Sequence, residues 1–213
     1  YDQSNDYSVG ITESFREQAN AHGLEIVTEQ AFTVQTNTDF HVQLQKAKSA
    51  GADLIFLPVY AQEAASVLIQ AQKAGIGIPF FGCDGLDGLF EKLGAGNADA
   101  AEGVMFLTPF SADADDVQTK SFVAAYRSAY GTTPDQFAAD GYDAVYTVKE
   151  AMEKAGIRDV SIGIRALGEQ LTEAMTQIQV SGLTGAMTWT EDGEPSKQAR
   201  AVTIKKGKYV FVK

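Results

Sequence analysis

A chain of 213 residues is long enough for one large domain or for two small lobes, each with its own core. Its net charge of −11, from 17 basic and 28 acidic residues, disfavours nucleic-acid backbones and anionic membranes, which both need clustered Lys or Arg. A single cysteine, Cys83, excludes an internal disulfide and reads as a small buried filler, while His22 and His41 lack the Cys or acidic neighbours of a zinc site, so no metal or cofactor is expected.

The opening "YDQSNDYSVGITESF" reads as the last residue of a strand, a loop and then a helix over residues 6–22. Val9, Phe15 and Ala19 recur near helical spacing, and Gly23 supplies the stop. Such a unit predicts that sequence preceding Tyr1 belongs to it. Residues 24–32 alternate and predict a strand; residues 39–51 predict a second helix through Phe40, Leu44 and Ala47. Residues 54–59 form a continuous apolar run, as expected of a parallel strand covered on both faces. A helix over 61–74, a buried strand over 78–82, a short helix over 86–93 and a strand over 103–107 follow. Strand and helix in alternation predict an α/β fold: βαβ units with a parallel, Rossmann-like sheet between helices.

After Thr108 the pattern changes. Residues 116–130 predict an amphipathic helix with Phe122, Val123 and Tyr126 inward. Pro134 breaks the chain, residues 137–155 carry Tyr142, Val145, Tyr146 and Met152 at helical spacing, and residues 162–178 predict a further helix. Helices with no strand between them need a sheet from elsewhere, and the segment before Tyr1 is the expected source. The tail from Leu183 alternates with period two; "EDGE" reads as a turn, and "KKGK" as a tight hairpin connection between residues 202–204 and 209–212.

In an open parallel sheet, ligands bind outside the carboxyl ends of the strands. Tyr60 and Asp84 end the two central apolar runs, and Tyr7 follows the strand that would end at Tyr1. A carboxylate with two phenols suits a small cationic group beside an apolar one. The plainer alternative stands beside it with equal weight: a tyrosine at a strand end packs half-buried, and Asp-Gly makes a turn. "GIGIPFFG" lacks the lysine and spacing of a phosphate loop, and "GAGNADAAEG" lies between a short helix and a strand, the wrong context for a dinucleotide loop.

The ordered set "DYSVGITESF", "TDFHVQLQKAKSAGADLIFLPVYAQEAASVLIQAQKAGIGIPFFGCDG", "AEGVMF" and "FAADGYDAVY" resembles the C-terminal two thirds of periplasmic branched-chain amino-acid binding proteins, the type I solute-binding proteins of ABC importers. The resemblance implies two Rossmann-like lobes with ligand in the cleft between them. Residues 1–107 and 186–213 would form the C-terminal lobe, and residues 110–183 the C-terminal part of the other, whose N-terminal half is not in this chain. It implies ligand contacts from Tyr7, Tyr60 and Asp84, with Asp84 where the family usually carries Glu to hold the ligand's α-ammonium, and from Phe137 on the other lobe. It further implies a non-enzymatic amino-acid carrier, periplasmic or extracellular, lipid-anchored in some forms, with a membrane permease as partner and no nucleic acid. The isolated chain is expected to self-associate through its uncovered helices. The competing readings are a ligand-sensing amide or amino-acid receptor or regulatory domain of the same fold, and a flavodoxin-like enzyme, which needs a phosphate or flavin loop at a strand end.

Overall fold

The computed structural model describes residues 1–36, 38–94 and 96–212. In chain order its helices are α1 (Asp6–Ala21), α2 (His41–Ser49), α3 (Ala61–Lys73), α4 (Leu89–Leu93), α5 (Val117–Tyr130), α6 (Gln136–Ala155) and α7 (Ile164–Met175). Its strands are β1 (Ile55–Leu57), β2 (Phe80–Gly82), β3 (Met105–Leu107), β4 (Val180–Gly182), β5 (Gly185–Met187), β6 (Ala201–Lys205) and β7 (Lys208–Phe211). The chain divides into a unit of Tyr1–Thr108 with Ala201–Lys213 and a unit of Pro109–Arg200.

The first unit is built on one sheet of strand order β1-β2-β3-β6-β7. The apolar runs pair in parallel, Phe56 beside Phe81 and Phe81 beside Met105. The tail then joins antiparallel, with Phe106 beside Val202 and Val202 beside Phe211. Lys206 and Gly207 connect β6 to β7 with φ of 51° and 72°, both left-handed, as a two-residue type I′ hairpin requires. Against the sheet, α3 turns Ala64, Ala65, Leu68 and Ala71 inward, where they meet Leu57, Phe80, Phe106 and Ile204 in the main core. Its alanines carry no bulk beyond Cβ, so the helix seats low on the strands, and Leu68 and Phe106 fill the space between layers.

The expected strand over residues 24–32 is not formed among the described residues. Only Phe32 makes a bridge, parallel to Asp2, and Leu24, Ile26 and Val27 are exposed. The alternation is present, but a strand needs a ladder, and no neighbouring strand lies beside this segment.

The second unit holds α5, α6 and α7, with β4 and β5 as its own two-stranded hairpin. Its small core is Phe110, Val123, Ala139 and Leu183. Residues 186–200, expected with the sheet-bearing unit, group with these helices instead, because β5 pairs with β4 and Trp189 bridges to Pro195. On α6 the buried side chains are Gln136, Ala139, Asp143, Thr147 and Ala151, while Tyr142, Val145 and Tyr146 are exposed. Of the α5 residues expected inward, Val123 is buried and Phe122 and Tyr126 are half-buried.

Candidate ligand site at the sheet edge

Tyr7 stands in the first turn of α1, a helix capped by the Asn5 side chain, which accepts from Ser8 N–H at 3.2 Å. The Ser8 hydroxyl accepts from Asp2 N–H at 2.8 Å and donates to the Pro58 carbonyl at 2.5 Å. Pro58 follows β1, so this buried serine ties the start of α1 to the loop that carries Tyr60. Tyr60 is itself the residue before α3, and Asp84 opens a single 3-10 turn just after β2. Parallel pairing of β1 with β2 brings both loops to the same edge.

There the three sequence-chosen groups meet. The rings of Tyr7 and Tyr60 stack with centroids 4.8 Å apart and 26° between planes. The Tyr7 hydroxyl donates to Asp84 Oδ1 at 2.8 Å and accepts from Gly85 N–H at 3.0 Å. Burial raises the Tyr7 pKa above the ordinary tyrosine range; the Gly85 N–H opposes this and the Asp84 carboxylate adds to it. Tyr7 is therefore a proton donor at any physiological pH. It holds the carboxylate in place, while Tyr60, 43% exposed, presents ring surface at the rim. Neighbouring Cys83 is buried, and burial, with the Asp84 charge adding to it, pushes its thiol up to about 11, which keeps it protonated and unreactive at neutral pH.

Sequence reasoning missed Ser8 and Gly85. A β-carbon on Gly85 would lie 2.7 Å from the Val59 carbonyl and 2.9 Å from the Tyr7 hydroxyl, so only glycine lets the 3-10 turn approach this closely. The "DG" pair signals a turn, but not the tyrosine packed against it. Phe137 belongs to the other unit, where it is the second residue of α6 and 46% exposed.

The arrangement provides a hydrogen-bonded carboxylate flanked by stacked phenols, which is suited to an ammonium group with an apolar neighbour. Tyr7→Phe keeps the ring stack and removes both hydroxyl bonds. If the site takes the ammonium of an amino acid, this is expected to weaken binding by about fivefold, the equivalent of one hydrogen bond of about 1 kcal/mol. Titration calorimetry on the full-length protein reads this directly, and an unchanged Kd removes Tyr7 from the site.

An open α/β sheet that gathers such groups beyond the carboxyl ends of its parallel strands is a small-ligand-binding fold. The chain belongs to the periplasmic binding protein family, whose model matches residues 1–208. It is 24% identical over 188 residues to a leucine-, isoleucine-, valine-, threonine- and alanine-binding protein of Pseudomonas aeruginosa, covering 88% of this chain and 47% of that one. The leucine-binding protein LivK of Thermotoga maritima superposes with a TM-score of 0.82 at 28% identity, over 100% of this chain and 58% of that one. LivJ of Streptococcus pneumoniae, a branched-chain amino-acid transporter substrate-binding protein solved with isoleucine, gives 0.79 at 31% identity, over 98% and 56%. The fold is thus the α/β type I periplasmic-binding-protein fold, as the sequence resemblance implied. The chain spans about half the length of the curated relatives it matches, 47% and 49%.

Proposed function

We propose that this chain forms the ligand-binding part of an extracytoplasmic solute-binding protein that delivers an aliphatic amino acid to an ABC importer. The observation that carries the reading is the convergence of Tyr7, Tyr60 and Asp84 at the carboxyl ends of adjacent parallel strands, with Tyr7 bonded to Asp84 and stacked on Tyr60. In this reading Asp84 pairs with the ligand's α-ammonium, and the two tyrosines cover its Cα. Phe137 supplies an apolar contact from a second lobe, an assignment that rests on the family resemblance alone. Residues 1–107 with the terminal hairpin act as one lobe and the α5–α7 helices as part of the other, closing on the ligand without chemistry. The name of the family supports a periplasmic site of action, and that of the Streptococcus neighbour, a transporter substrate-binding protein, supports a membrane permease as partner. The exposed Tyr142, Val145 and Tyr146 support self-association of the isolated 213-residue chain, which sedimentation would read.

Thermal-shift screening of the full-length protein against the twenty common amino acids tests the reading. Leucine, isoleucine or valine at a hundredfold excess over Kd adds about 2.7 kcal/mol and is expected to raise Tm by several degrees, with no shift from lysine or aspartate. A protein that no amino acid stabilises is not an amino-acid carrier.

A further inference from the structure

The alternation of strand β7 sorts its side chains between solvent and core. Val210 is exposed, while Tyr209 and Phe211 are half-buried and pack against the main core. The Tyr209 ring stacks on Phe90 of α4 with centroids 5.1 Å apart and 27° between planes, and it meets Phe106 of β3 edge-on at 5.3 Å. This seats the phenol oxygen at the first turn of α4. It lies against the N–H groups of Leu89, Phe90 and Gly88, with the Asp87 carboxylate nearby. Burial raises the Tyr209 pKa above the ordinary tyrosine range, the Asp87 charge adds to this and the three N–H groups oppose it, so the hydroxyl keeps its proton.

Helix α4 has five residues, too few to be stable alone, so its neighbours decide where it sits. Gly88 precedes it with a φ of 82° and has no side chain to cap it; the Tyr209 hydroxyl stands where a cap would. From Gly88 back to Asp84 the chain is tied by short bonds. Gly88 N–H donates to Asp87 Oδ1 at 2.9 Å, Asp87 N–H to the Asp84 carbonyl at 3.0 Å, and Leu86 N–H to the Cys83 carbonyl at 3.0 Å. Leu86 is fully buried and packs over Gly82, where a β-carbon would collide with it. The Tyr7 hydroxyl holds the front of this turn through Asp84 Oδ1 and Gly85 N–H. Tyr209 holds its exit, where the left-handed glycine would otherwise let the chain pivot.

We propose that Tyr209 is a positioning residue for the ligand site: through α4 and the Asp84–Leu86 turn, it fixes the direction in which the Asp84 carboxylate is presented. The inference rests on the reading of Asp84 as the ammonium contact. A binding group works when it is held within about 0.5 Å of its productive geometry, and that requires the turn carrying it to be fixed at both ends. β2 fixes the entry, Tyr7 the middle and Tyr209 the exit. Two tyrosines from opposite ends of the chain thus converge on one turn. The hydroxyl is the part of Tyr209 that acts on the turn, since the ring stack on Phe90 alone leaves the α4 amides without a polar partner from β7.

The test is Tyr209→Phe in the full-length protein, alone and combined with Asp84→Asn. Phenylalanine keeps the ring stack and removes the hydroxyl. In the absence of amino acid, amide exchange at Gly85 and Asp87 is expected to quicken about fivefold, the equivalent of one lost hydrogen bond, while the amide of Leu68 in α3 exchanges as before. The leucine Kd from titration calorimetry is expected to rise about fivefold for Tyr209→Phe alone. It is expected to stay unchanged when Asp84→Asn is already present, because the carboxylate through which Tyr209 acts is then gone. Equal exchange at Gly85 with and without the substitution overturns the proposal. Faster exchange at Leu68 by the same factor also overturns it, because Tyr209 would then stabilise the whole fold rather than the turn. A Kd that is unchanged, or that rises equally in both backgrounds, does the same. If no aliphatic amino acid binds the unsubstituted protein, the reading of the site fails, and exchange at Gly85 and Asp87 still decides whether Tyr209 holds the turn.

Discussion

Asp84→Asn in the full-length protein is expected to weaken amino-acid binding by a factor of tens to thousands while leaving the fold in place. The carboxylate sits beyond β2, accepts from the Tyr7 hydroxyl at 2.8 Å, and lies beside the Tyr7–Tyr60 stack. Asparagine keeps an oxygen for that phenol, so the local structure has little reason to move. What it loses is the charge that, in the proposed function, faces the ligand's ammonium. Removing one partner of a desolvated, hydrogen-bonded charge pair costs about 2–5 kcal/mol, and each 1.4 kcal/mol is tenfold in Kd. Titration calorimetry with leucine measures the change, and circular dichroism checks the fold. An unchanged Kd in a folded variant would show that Asp84 serves only the turn it begins.

The largest stability effect is expected in the helical unit, at Asp143→Ala. Asp143 is 3% exposed, and its carboxylate accepts three bonds from the β4–β5 loop. Leu183 N–H and Thr184 N–H donate at 2.8 Å each, and the Thr184 hydroxyl at 2.7 Å. Gly182 and Gly185 are cross-strand partners around this two-residue loop, so one carboxylate on α6 satisfies both of its amides. Alanine leaves two buried N–H groups without partners, at about 1–3 kcal/mol each. A total loss of about 3 kcal/mol or more follows. Trp189, the single tryptophan, belongs to the same unit and reports its unfolding by fluorescence in a denaturant titration. Gly182→Ala is expected to act in the same direction, because its β-carbon would collide with the Asp143 carboxylate. A midpoint unchanged for both variants would mean that the loop finds its hydrogen bonds elsewhere.

Tyr60 and Asp84 were legible in the sequence because each lies just beyond an apolar run whose length in α/β alternation marks a strand end, and Tyr7 because it follows the strand expected to end at Tyr1. Ser8 and Gly85, which position them, were not legible. Their roles depend on backbone and side chains far along the chain, Pro58 for Ser8 and Tyr7 for Gly85, and no local pattern encodes such a distance. The alternation at residues 24–32 was equally clear, yet the segment forms no ladder, since hydrogen bonding between strands requires a neighbour that periodicity cannot provide.

Helix α6 shows the same division. Its length, its Asp135 cap and its stop at Gly156 are local properties, written in the sequence and present in the structure. Which face it buries is not local. Tyr142, Val145 and Tyr146 make the more apolar stripe, yet Ala139, Asp143, Thr147 and Ala151, four residues apart, are buried together with Gln136. A helix carries the means to pack on either side, and the elements that reach it choose between them. Here the Asp143 carboxylate meets the amides of the β4–β5 loop, so the face that carries it is the buried one, and Tyr142, Val145 and Tyr146 stay exposed. The sequence by itself determined the elements, their order and the strand ends at which a ligand site can form. Only the tertiary structure decided which groups meet there and which faces close, because those outcomes depend on partners distant in the chain.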